Sequence, residues 1–370
     1  MLPRAVLLCA ALACTALLYV APPAAGQLPP DPRGVDPLSA NPLLGVPWHV
    51  PQAAHPAWRQ YRRYVRQRKG HRANLMWKIA REPKFQWFGR FTRPRTRKKI
   101  RLFFESVPAG TLPLMTVMRH QGRGCGGGYD GGGPREDART RKWYRRFAHA
   151  VGTRRVAIAF EPDSLGTIDC IAPRWRRNRL DLLRYGVDVL SQLPNATIYL
   201  EAGASDWESA KRTAKQLRYI GIHKVRGFML NVTHNDWTLA NIRHGLDISR
   251  RTGGKPFIIN TATNGRGPVH YRNALGRRIN VWCHPRWRGL GIPPTVETHH
   301  PKVDAYMWIN RPGYSGGSCN GGPLPVGSWW PIRALQLAKF QTRWIRPPNG
   351  TRYGLFKRYT IEEVAGDGYR

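Results

Sequence analysis

Apolar residues in this chain alternate between two patterns. Short, nearly continuous apolar runs occur at 85–90 (FQWFGR), 114–120 (LMTVMRH), 156–160 (VAIAF), 197–201 (TIYLE), 225–231 (VRGFMLN), 256–261 (PFIINT) and 303–309 (VDAYMWI). Between them, 135–151, 176–193, 208–221 and 237–252 carry apolar residues at three-to-four spacing, and 328–344 follows the last run with the same spacing. The runs predict strands and the spaced segments helices. A run such as Val156–Phe160, apolar at every position, requires a sheet covered on both faces. Seven strands alternating with helices predict an α/β fold with a parallel sheet, a TIM-like (β/α) barrel short by one strand. No internal repeat is visible.

The segments outside this alternation predict how the chain is organised. Arg4 precedes an unbroken apolar run from Ala5 to Val20, and Ala24-Ala25-Gly26 follows. This is the pattern of a signal peptide over 1–26, and its apolar run is too short to span a bilayer. Four prolines in 27–40 predict a linker, 41–345 holds the barrel, and 346–370 reads as a C-terminal tail. Export predicts a secreted, extracellular protein.

Composition narrows the partners. With 60 Lys+Arg against 22 Asp+Glu the formal charge is +38, and 41% of the 370 residues are hydrophobic, which excludes a disordered chain. The charge is densest in 59–101, with 17 Lys/Arg against the single acid Glu82. Such a run suits an anionic cell-surface polymer. Trp77, Phe85, Trp87 and Phe88 show that the same segment enters a core, so much of its charge reads as a solvated face. Nucleic acid is not an expected partner for an exported protein, and a monomer is expected.

Cys9 and Cys14 fall in the signal, leaving Cys125, Cys170, Cys283 and Cys319. Four cysteines in an oxidising compartment predict two disulfides, with three possible pairings. No Cys-x-x-Cys occurs, adjacent His299 and His300 point apart on a strand, and no metal or other cofactor is expected. Gly122–Gly127 formally matches G-x-G-x-x-G, but glycines run on to Gly133 where a dinucleotide site needs a helix. Gly313-Tyr-Ser315-Gly-Gly317 matches G-x-S-x-G, but no histidine follows His300, so the triad order of a serine hydrolase fails.

In a parallel barrel the chemistry sits at the carboxyl ends of the strands. Those ends supply Trp87, Arg119, His120, Glu161, Asp163, Glu201, Asn231, Asn260, Trp308 and Asn310. Indoles stack on sugar rings while acids and amides hydrogen-bond hydroxyls, so this rim reads as a sugar-binding floor. Its most distinctive element is Phe160-Glu-Pro-Asp-Ser-Leu165, an apolar strand that delivers an acid-Pro-acid turn.

With that turn the chain resembles glycoside hydrolase family 6, the inverting endoglucanases and cellobiohydrolases. Landmarks occur in the family's order: Trp87-Phe88, Arg123–Gly127, the acid-Pro-acid turn, Tyr199–Gly203 with Trp207, Asn264–Pro268, Trp282-Cys283, and Trp308 through Pro323. The resemblance implies a distorted seven-stranded parallel barrel that cleaves β-1,4-glucan with inversion. It makes Asp163 the proton donor and Trp87, Trp207 and Trp282 sugar-stacking positions, and it pairs Cys125 with Cys170 and Cys283 with Cys319. Asn231, Asn260, Asn310 and Tyr314 complete the expected substrate contacts. The chain also departs from the family. Gly124 replaces the acid that supports the donor, Glu201 replaces an Asp, and Asn260, Thr263, Asn310, Tyr314 and Gly316 replace an Asp, an Arg, a Lys, a Glu and the base Asp. The acids left for activating water are Asp130 and Glu201, with Asp130, on a loop of eight glycines in twelve residues, the expected base. A barrel that has lost catalysis and only binds wall polysaccharide is the alternative.

Overall fold

Seven strands pair side by side, all parallel and in the order in which they follow one another along the chain. The computed structural model describes residues 41–52, 55–89, 92, 95–120, 133–272 and 278–348. The sheet is built from β1 (Gln86–Gly89), β2 (Leu114–Met118), β3 (Val156–Phe160), β4 (Ala196–Glu201), β5 (Gly227–Leu230) and β6 (Phe257–Asn260). A small antiparallel pair, β7 (His270–Arg272) and β8 (Arg278–Asn280), intervenes before the last sheet strand, β9 (Val303–Met307). Among the described residues no ladder joins β1 to β9. Phe85 N donates to Trp308 O at 3.4 Å and Trp87 Nε1 to Ile309 O at 2.9 Å, so the sheet curls almost closed and stays ajar at this seam. This is the barrel short by one strand that the strand count predicts, with the distortion that the family resemblance implies.

Helices α4 (Gly133–Val151), α5 (Pro173–Leu190), α6 (Ala210–Ile220) and α7 (Thr238–Arg251) form the crossovers, and α8 (Pro331–Lys339) follows β9. Proline at the first turn starts α5 and α8, where its missing N–H costs nothing. The covering layer lies close against the strands. A Cβ on Gly186 of α5 would lie 2.6 Å from the Phe160 ring, and one on Gly245 of α7 would lie 2.4 Å from the Phe257 ring.

The basic segment, for which the periodicity predicts no helix, forms three: α1 (Pro56–Arg66), α2 (Gly70–Ala80) and α3 (Thr96–Glu105). The buried faces of α1 and α3 are narrow, with two buried residues each. Only Ala57 and Tyr64 of α1 are buried, while α2 buries Ala73, Met76, Ile79 and Ala80. These side chains pack with Leu337, Ala338 and Trp308 into a core outside the barrel, separate from the interior core of Leu114, Ala157, Ala159, Met229, Ile258, Ala305 and Met307. Toward the amino ends of the strands, Tyr199 Oη donates to Asp304 Oδ2 at 2.6 Å, and Arg226 closes a two-bond fork on the same carboxylate at 2.9 Å. Cys283 and Cys319 form a disulfide, as expected, and Cys170 is also disulfide-bonded. Its expected partner Cys125 and the expected base Asp130 lie outside the described residues.

Candidate active site

The acid-Pro-acid turn is held by its first acid. Glu161 is fully buried, and its carboxylate accepts from Arg119 N at 2.9 and 2.8 Å, from His120 N at 2.9 Å and from Tyr144 Oη at 2.6 Å. His120 Nδ1 lies 2.6 Å away. Burial opposes ionisation of Glu161, but the bonds to His120 and Tyr144 outweigh it and hold the carboxyl below its ordinary range. Glu161 therefore ties the end of β2 to the end of β3 and to α4. Glu161 (φ 55°) and Asp163 (φ 68°) both adopt the left-handed conformation, which non-glycine residues seldom take and which clusters where a turn must present a side chain.

Asp163 is thereby raised onto the rim, half-buried. Thr233 Oγ1 donates to its Oδ1 at 2.6 Å. Burial pushes the Asp163 carboxyl up, against the opposing pull of Thr233, His120 and His234. Behind it, Glu201 at the end of β4 is buried, with Leu165 N donating to Oε2 at 2.7 Å and Gly203 N to Oε1 at 2.5 Å. Burial and the neighbouring Asp163 charge push Glu201 up to about 8. Two carboxyls in one another's field titrate as a pair and retain a proton well above the ordinary carboxylate range.

The loops after β4 and β5 add a second group. His234 stacks on Trp207, with centroids 4.5 Å apart and planes at 12°, and its Nδ1 lies 2.8 Å from Asp206 Oδ1. Asn280 Nδ2 also donates to Asp206. One face of the Trp207 indole is therefore covered by protein. Trp87 and Trp282 are half-buried. At the seam, the Arg311 guanidinium lies 3.9 Å over the Tyr314 ring and 5.9 Å from that of Trp87, while Tyr314 Oη lies 3.4 Å from His55 Nε2.

Two expected substrate contacts are placed otherwise. Asn231 and Asn260 are fully buried and spent on the scaffold. Asn231 Nδ2 donates to Asp236 O and Asn260 O, while Asn260 Nδ2 donates to Asn231 O and its Oδ1 accepts from Ile309 N and Asn310 N. They stitch β5, β6 and the end of β9 together. Asn310 remains half-buried on the rim. Gly316 is exposed and donates its N–H to His284 Nε2 at 2.8 Å, and Ser315 is buried, donating to Gly317 O. Cys283, His284 and Cys319 cluster, but the disulfide removes the two thiolates a metal would need.

The sequence reading missed Thr233, His234 and Asp206. Thr233 closes an Asn231-Val-Thr sequence, and its hydroxyl donates to the acid. The visible clue was a hydroxyl two residues beyond a strand end.

A nearly closed parallel barrel with paired carboxyls and half-buried indoles on its carboxyl rim defines a carbohydrate-processing class of site. The family model for glycosyl hydrolases family 6 matches residues 45–340, and the chain belongs to that family. It is 33% identical over 273 residues to Endoglucanase A of Cellulomonas fimi, covering 73% of this chain and 57% of that protein. It is 31% identical to Endoglucanase 1 of Streptomyces sp. (strain KSM-9), covering 72% of each. Among solved structures, the endoglucanase Cel6 from Mycobacterium tuberculosis, in complex with methyl-cellobiosyl-4-deoxy-4-thio-beta-D-cellobioside, superposes with a TM-score of 0.71 at 33% identity, covering 81% of this chain and 99% of that one. A GH6 enzyme from Orpinomyces sp. Y102, at 20% identity and a TM-score of 0.67, shares the fold.

Proposed function

We propose that this protein is a secreted glucanase that hydrolyses β-1,4-glucan with inversion, Asp163 protonating the leaving oxygen. The observation that carries the reading is the Asp163–Glu201 pair: a half-buried rim carboxyl whose proton affinity burial raises, backed by a second, buried carboxyl. A general acid needs this raised affinity to donate near neutral pH. Glu201, with both oxygens taken by backbone N–H groups, tunes Asp163 rather than activating water. Thr233 supports the donor where Gly124 has removed the family's acid. The base role falls to Asp130, whose place on the glycine loop five residues beyond Cys125 would let it approach the opposite face of a bound sugar. Trp87 and Trp282 supply stacking surfaces for the chain, beside Asn310 and Tyr314 at the seam.

Reducing ends released from a panel of β-glucans test the reading. β-1,4-Linked polymers are expected to be cut and β-1,3-linked ones left intact. Release from none of them, with binding retained, would instead make the protein a polysaccharide-binding barrel.

A further inference from the structure

The seam between β1 and β9 does not end at the rim. Trp87, Arg311 and Tyr314 lead to Trp329, whose ring meets Tyr314 edge-on at 5.4 Å between centroids. Trp329 in turn lines a groove of about 310 Å³ together with Pro56, Arg59, Gln60, Arg63 and Arg66 of α1. The three arginines are exposed and spaced four and three residues apart, so they share one helix face at intervals of ~6 and ~4.5 Å along its axis. No Asp or Glu occurs from 55 to 81 to neutralise them. Arg59 lies close enough for its charge to act on both His55 and Tyr314. Rings and guanidinium groups thus follow one another from the cleft, through Tyr314 and Trp329, onto the α1 face. A neutral glucan would gain from the rings but leave three guanidinium forks unmatched. A chain carrying oxyanions would use both, because the guanidinium fork matches carboxylate and phosphate geometry.

The geometry points to a polysaccharide bearing carboxylate or phosphate-ester groups as the ligand of this groove, continuous with the glucan chain in the cleft. The inference rests on the glucanase reading and names the substrate class it favours: an anionic β-glucan, gripped outside the cleft by α1.

The test must separate local recognition from the charge of a strongly basic protein. Affinity electrophoresis in gels containing carboxymethyl cellulose, phosphorylated cellulose or neutral hydroxyethyl cellulose would compare three full-length proteins. They are the wild type, R59E/R63E/R66E, and R97E/K98E/K99E, which makes the same charge change on exposed positions of α3. The groove variant is expected to bind the anionic polymers about tenfold more weakly, the α3 variant to stay within about threefold of wild type, and all three to bind the neutral polymer alike. Whichever anionic polymer shows the difference identifies the oxyanion. Equal losses in the two variants, or no preference of the wild type for anionic polymer, would overturn the groove while leaving the glucanase reading intact. Failure to bind any of the polymers would tell against both.

Discussion

Asp163→Asn is expected to lower the turnover of β-1,4-glucan by roughly 10²–10⁴-fold while leaving binding of the same polymer nearly unchanged. The substitution keeps volume, and the asparagine oxygen can still accept from Thr233 Oγ1, so the turn that presents residue 163 has no reason to move. What disappears is the transferable proton. The same proton sets the pH profile. Burial raises the carboxyl of Asp163, and burial with the Asp163 charge pushes Glu201 up to about 8. Wild-type activity should therefore fall as pH rises through the raised Asp163 value, whatever the state of Glu201 behind it. Initial rates with matched isotherms decide the matter: near-wild-type turnover in the variant would remove Asp163 from the acid role.

The second large effect is on stability. Glu161→Ala would leave Arg119 N, His120 N and Tyr144 Oη buried without their acceptor. Uncompensated buried donors cost roughly 1–3 kcal/mol each, and the turn would lose the anchor that holds its left-handed residues. A fall in unfolding free energy of about 3–5 kcal/mol is expected from urea melts at neutral pH, comparable to removing one partner of a buried ionic contact. The pH dependence follows from the direction of the shift. The folded Glu161 carboxyl sits below its ordinary value, so its stabilisation is present above the unfolded pKa, ~4.3, and is lost as pH falls through the depressed folded one. The gap between wild type and variant should narrow in acid. Equal urea midpoints at neutral pH would mean that Glu161 is not the anchor.

The barrel was legible because a strand buried on both faces writes itself as an apolar run, and Val156–Phe160 and Phe257–Asn260 do so plainly. The helices α1 to α3 were not legible. In α1 four arginines and two tyrosines leave few apolar positions to mark a period, and only Ala57 and Tyr64 reach the core, whereas in α2 the helical spacing of Ala73, Met76, Ile79 and Ala80 is overlaid by the surrounding run of charge. The acid-Pro-acid turn could be found from its place at a strand end, where a parallel barrel keeps its chemistry, although the first of its two acids serves the scaffold. The strand-end asparagines show where such reasoning stops. Asn231 and Asn260 carry the same letters whether the amide faces a sugar or a neighbouring carbonyl, and only the cross-strand geometry reveals the second. Thr233 was hidden for the converse reason: its partner lies seventy residues away along the chain.

Glycosidase activity alone would not distinguish inversion from retention, and inversion requires water to enter opposite the leaving group. The direct measurement is proton NMR of the first products released from a soluble β-1,4-glucan, recorded before mutarotation equilibrates the anomers. The α-anomer should appear first, with the β-anomer growing in behind it. Initial release of the β-anomer would contradict the account.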